Sequence, residues 1–123
     1  MSTTLNFVGR ILLASLFIVA AIGKILGFSG TVGYIASKGL PQPQVLAGAT
    51  IALELVGGLL IILGRYPLPV GLALAAFCVV TGFIFHNFWA LDPAVKQVQM
   101  NHFLKNIALA GALLMMASGH RRD

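Results

Sequence analysis

Apolar residues in this chain run in long unbroken blocks instead of alternating at every second position, and four blocks stand out. They cover residues 5–26, 45–64, 68–89 and 101–118. A bilayer core roughly 30 Å thick is crossed by about 20 mostly apolar residues in a helix, and each block meets or approaches that length. The pattern therefore predicts an all-α membrane protein, an antiparallel four-transmembrane-helix bundle forming a single domain over residues 1–123.

The connections between blocks differ in character. Gly64, Arg65, Tyr66 and Pro67 make a tight turn between the second and third blocks, with Pro67 suited to open a helix. The first connection, residues 27–43, places Phe28, Val32 and Ile35 at helical spacing before Lys38-Gly39 and Pro41, a helix stop. A short helix lying in the membrane interface is expected there. Residues 90–100, with Asp92, Pro93 and Lys96, read as a third loop. The first block could also be a signal peptide, with Val19-Ala20-Ala21 as a cleavage site. Its only basic residue before the apolar run is Arg10 and three more blocks follow, so an uncleaved helix is expected.

Composition agrees with a lipid solvent. Hydrophobic residues make up 59% of the 123 and charged residues 9%, against roughly 45–50% and about 25% in soluble domains. A small water-soluble globule needs far more polar cover than this. The net charge of +5 comes from scattered Lys and Arg without interleaved aromatics, which argues against nucleic acid as a partner. With an even number of spans, Arg10, Arg65, Arg121 and Arg122 fall on the side of the termini, and Lys24, Lys38, Lys96 and Lys105 on the other. The paired tail arginines favour cytoplasmic termini in a bacterial inner membrane. The lone Cys78 excludes an intrachain disulfide and is expected to be a buried, inert thiol.

Depth then sorts the polar residues. Lys24, His86, Asn87, Trp89, Asn101, His102, Lys105 and Asn106 all fall towards one face of the expected bundle, and Glu54 lies near mid-span. On a helical wheel Asn101, His102, Lys105 and Asn106 share an arc of about 140°. Arg10, Ala14, Phe17, Ala21 and Lys24 form a stripe on the first block. Glu54 shares its face of the second with Ala47, Thr50, Gly57 and Gly58. An ionised carboxylate in hydrocarbon costs several kcal/mol or more unless it is paired, protonated or wet. By depth Lys24 and Lys105 are its candidate partners, with His86 and His102 as hydrogen-bonding neighbours. Two lysines beside one glutamate would leave a net positive pocket suited to an anionic or electron-rich ligand such as a quinone carbonyl.

Plainer readings exist for most of these residues. Lysines near helix ends commonly snorkel to the headgroups. Trp89, Tyr34 and Tyr66 suit interfacial anchoring. Single histidines more often hydrogen-bond than ligate, and the four methionines fit packing roles. Two histidines on successive helices could hold haem, but no supporting motif exists and haem is not expected. No metal site is expected either.

Several segments resemble the DoxX family of small bacterial inner-membrane proteins. They are GRILLASLFIVAAIGKILGF, ALELVGGLLIILGRYP, FHNFW and NHFLKNIALAGALL, in that order. The resemblance runs from about Arg10 to Ser118 and implies a four-helix membrane bundle. It places Arg10, Lys24, Glu54, His86, His102, Lys105 and Asn106 at the family's characteristic polar positions. Its namesake and a relative are associated with quinone-linked oxidase and thiosulfate-oxidising systems, and other members with membrane oxidoreductase assemblies.

The leading expectation is thus a redox-associated membrane subunit, accessory to an oxidoreductase and itself without a strong cofactor motif. It would bind a quinone-like or other small lipophilic ligand through Lys24, Glu54, His86, Trp89, His102, Lys105 and Asn106. Glu54, His102 and His86 are the proton-handling candidates, and Arg10 is a structural polar residue. Redox centres would come from a partner subunit. A small-solute or proton carrier, which at this size would need a homo-oligomer, and a structural scaffold locked by the polar cluster are the alternatives.

Overall fold

A computed structural model describes residues 3–119. Arg121 and Arg122, which carried the expected placement of the termini, lie outside the described residues. Within them the chain is helical: α1 (Thr3–Leu26), α2 (Phe28–Ser37), α3 (Pro43–Leu63), α4 (Pro67–Phe85), a 3-10 turn (Phe88–Ala90) and α5 (Pro93–Gly119). Three stretches are long and apolar enough to cross a membrane: Thr3–Leu26, Pro43–Leu63 and Pro67–Ala90. The fourth expected span falls on α5, whose 27 residues make a helix of about 40 Å. Its first half is polar, carrying Lys96, Gln97, Gln99, Asn101, His102, Lys105 and Asn106.

The chain forms two compact units, Met1–Tyr66 and Pro67–Asp123. In the first, α1 lies antiparallel to α3. Ala14, Phe17 and Ala21 are buried on α1, and Ala47, Glu54, Gly57, Gly58 and Ile61 on α3. Most of the stripes expected from spacing are buried, while Arg10, Lys24 and Thr50 are half-buried and Ile61 joins the α3 face. Gly58 permits the contact, because a Cβ there would stand 2.7 Å from Ile18 Cγ1 and 3.3 Å from the Ala14 carbonyl oxygen. The short helix expected between the first two blocks is α2, and it buries Ile35. Gly39, at φ 75°, follows its end and donates its N–H to the Ala36 carbonyl at 2.9 Å.

In the second unit, Val70, Gly71, Leu74, Ala75, Cys78 and Gly82 of α4 face Ala110, Leu113 and Ala117 of α5. Cys78 is buried, as expected. A Cβ on Gly71 would meet Ala117 Cβ at 2.7 Å and the Leu113 carbonyl oxygen at 2.8 Å, so only glycine lets the two backbones approach this closely. The expected loop over residues 90–100 is shorter than the sequence suggested. Pro93 opens α5, and the Asp92 carbonyl accepts the N–H groups of Val95 (3.1 Å) and Lys96 (2.9 Å). Proline lacks only an N–H that the first helical turn leaves unsatisfied anyway, so it starts the helix instead of breaking it. Two turns are thereby added before Asn101. The third block also ends earlier as a helix, at Phe85, and passes through His86 and Asn87 into the 3-10 turn.

Candidate functional site

Glu54 is the buried carboxylate of the first unit. It lies on the α1-facing side of α3, and its carboxylate Oε1 accepts a hydrogen bond from Lys24 Nζ at 2.9 Å. The side chains are 30% (Lys24) and 6% (Glu54) exposed, so the lysine reaches the surface and the glutamate does not. Helix register shows how far the lysine travels. Arg10 meets Ile62 and Ala14 meets Gly58, which puts the Lys24 backbone roughly opposite the start of α3, near Gly48. From there to the level of Glu54 is about 9 Å along the axis. Side chains tilt towards a helix's N-terminus, so Lys24 runs back along α1 towards mid-span. A snorkelling lysine would head for the headgroups, and this one does the opposite. Among the described residues the second carboxylate oxygen, Oε2, accepts no hydrogen bond.

At the other end of the α1–α3 pair, Arg10 closes the last turn of α3. Its Nη1 donates to the Ile62 carbonyl at 2.9 Å and the Ile61 carbonyl at 3.4 Å, and Nε donates to Asn6 Oδ1 at 2.9 Å. Helix C-termini leave carbonyls unsatisfied and carry partial negative charge, so an arginine here answers both needs. Arg10, expected as a structural polar residue, thus contacts the last turn of α3 and Asn6 of its own helix.

The second unit holds the other sequence-predicted residues in three groups. His86 and His102 stack with ring centroids 5.1 Å apart and planes 27° from parallel. His86 Nδ1 lies 2.7 Å from Gln99 Oε1. An amide oxygen only accepts, so a hydrogen bond in this contact has the ring's Nδ1–H as its donor. Gln99 was assigned to a loop in the sequence, yet residues 99, 102, 103 and 106 share one helical face once α5 begins at Pro93.

Asn106, expected at a ligand wall, spends its amide within the α4–α5 pair. Its Nδ2 donates to the Cys78 carbonyl at 3.1 Å and to Thr81 Oγ1 at 3.3 Å. The Thr81 hydroxyl in turn donates to the Phe77 carbonyl at 2.7 Å. Trp89 sits edge-on to Phe88 and Phe103 and tilted against Phe83, at centroid separations of 5.2–5.7 Å. Half of it is exposed, as suits a ring anchored between lipid and water. Lys105 is exposed on α5, and Asn101 accepts from Gln97 Nε2 at 3.1 Å. No group of three or more His, Cys, Asp or Glu side chains placed to hold a metal occurs among the described residues.

Long apolar helices that bury a charged pair between them define an integral membrane protein. Comparison with known proteins narrows the class: the DoxX family pattern matches residues 5–87, more than half of the chain, and the chain belongs to that family. Inner membrane protein YphA of Escherichia coli (strain K12) is 33% identical over 113 residues, covering 92% of this chain and 81% of YphA. Inner membrane protein YqjF of the same organism is 36% identical over 110 residues, covering 89% of this chain and 79% of YqjF. No solved structure matches.

Proposed function

We propose that this is a multi-pass inner-membrane subunit that binds a quinone-like or other small lipophilic ligand at the Lys24–Glu54 pair, in association with a membrane oxidoreductase. The pair itself carries the reading. A carboxylate buried within a span is costly, and this one draws a lysine inwards while leaving Oε2 without a hydrogen bond among the described residues. A hydroxyl of a reduced quinone could donate to Oε2, and a carbonyl of the oxidised form could accept from the ammonium of Lys24. The pair thus offers both an acceptor and a donor to the two states of such a ligand, with Glu54 able to take up one of the two protons released on oxidation and the other passing to water. The electrons would pass to a centre in a partner subunit.

The same 2.9 Å contact favours a second reading, in which the ion pair only locks α1 to α3. Titration of a short-chain quinone analogue into the purified protein separates the two. Binding that is lost in both Glu54→Gln and Lys24→Met supports the ligand site. A protein that binds no analogue, and whose variants change only stability, leaves the lock.

A further inference from the structure

The Arg10 end of the first unit has a property that closing a helix does not use up. A guanidinium carries five N–H donors. Nε is spent on Asn6 and Nη1 on the Ile61 and Ile62 carbonyls. Among the described residues Nη2 makes no hydrogen bond. Gly64 lies directly beneath the group: a Cβ there would stand 2.6 Å from Arg10 Nη1 and 3.5 Å from Cζ. Gly64 also sits at φ 71° and is followed at once by the exposed Arg65 and by Tyr66, which is 62% exposed. Two permanent positive charges therefore belong to one end of α3, Arg10 on its last carbonyls and Arg65 one residue past Gly64, where a span leaves the membrane.

Nothing in the unit neutralises them. Glu54 is the only carboxylate in residues 1–66, and it is held by Lys24. It also lies seven residues before Ile61, about 10 Å along the helix. The surroundings are apolar. Phe7 packs under the Arg10 guanidinium at 5.5 Å, and Phe7 and Leu63 are both exposed. Two arginines at one helix end, beside exposed hydrocarbon and followed in sequence by an exposed tyrosine, match the head and upper chains of a phospholipid. Arginine's planar fork suits a phosphodiester, which presents two oxygens to it.

We propose that Arg10 and Arg65 form a headgroup site for an anionic phospholipid. Arg10 offers its Nη2 donors from a fixed position, and Arg65 supplies the second charge. The site is separate from the Lys24–Glu54 pair and does not depend on a ligand being bound there.

The test uses the full chain in micelles, with phosphatidylglycerol, phosphatidylcholine or inorganic phosphate added, and native mass spectrometry to count retained molecules. Wild type is expected to retain phosphatidylglycerol in preference to phosphatidylcholine and not to retain inorganic phosphate, which lacks the chains. Arg65→Gln should weaken phosphatidylglycerol retention about five-fold, the factor that about 1 kcal/mol per basic residue near an anionic surface represents. Lys38→Gln, at the opposite end of α3, should change nothing. Arg10→Lys keeps the charge but loses the fork, and should weaken retention without abolishing it. Arg65 is exposed, so its variant does not put folding at risk. Equal retention of the two lipids by wild type would overturn the proposal. So would equal losses in Arg65→Gln and Lys38→Gln, and retention of inorganic phosphate as tight as that of the lipid would assign the site to a free anion.

Discussion

Replacing Lys24 with Met should destabilise the protein at neutral pH and much less in mild acid. The change keeps an unbranched apolar stem, lacks the ammonium, and removes the only hydrogen-bond partner that Glu54 has among the described residues. Breaking a buried ion pair on one side typically costs about 3–5 kcal/mol, because the remaining charge is stranded. Here a ceiling applies, since the stranded carboxylate can take a proton instead. Protonating a glutamate of ordinary acidity at pH 7 costs about 3.7 kcal/mol, the gap of about 2.7 pH units at 1.36 kcal/mol each. Lowering the pH to 5.5 reduces that ceiling to about 1.6 kcal/mol. The loss in Lys24→Met should therefore shrink by about 2 kcal/mol between the two conditions. Glu54→Gln strands no carboxylate, and its Lys24, in the last turn of α1, can extend to the headgroups instead. Its cost should be near that of one hydrogen bond, about 1 kcal/mol, with no such pH dependence. Denaturant unfolding in micelles at both pH values measures all of this. Equal losses in the two variants, or a Lys24→Met loss unchanged by pH, would refute the claim that a charged Glu54 is held by Lys24.

Other consequences concern helix packing. Gly71→Ala should lower stability by about 1–3 kcal/mol because the methyl meets the Ala117 Cβ and the Leu113 carbonyl oxygen, neither of which can swing aside. Gly48→Ala, with nothing within 4 Å of its Cβ, should be neutral or gain up to about 1 kcal/mol in the same unfolding assay. Asn106→Leu should cost about 1 kcal/mol by removing the amide's hydrogen bonds to the Cys78 carbonyl and the Thr81 hydroxyl, while leaving quinone-analogue binding unchanged.

Spacing alone revealed the α1 stripe of Ala14, Phe17 and Ala21 and the α3 face around Glu54, because an apolar helix of membrane length has few ways to bury small residues. Depth put forward both Lys24 and Lys105 as partners for Glu54, since a mid-span carboxylate needs a cation, and Lys24 is the one that pairs with it among the described contacts. What stayed hidden depends on local backbone geometry. Asp92-Pro93 reads equally well as a loop or as a helix start, and the choice decides whether Gln99 faces His86. Asn106 has the same wheel position as a ligand-facing residue would have. Only the approach of α4 at Gly82, with its virtual Cβ 3.5 Å from Asn106 Cβ, turns its amide to packing. The tilt of Lys24 towards mid-span likewise follows from helix register, which sequence does not contain.

The most direct test of the ligand site is a density map of the protein extracted in native lipid. A flat, polar-headed ligand within hydrogen-bonding distance of Glu54 Oε2 and Lys24 Nζ, absent from a map of Glu54→Gln, is the predicted result. A closed Lys24–Glu54 pair with only acyl chains beside it in the wild-type map would contradict the ligand-binding account and leave the pair as a lock between α1 and α3.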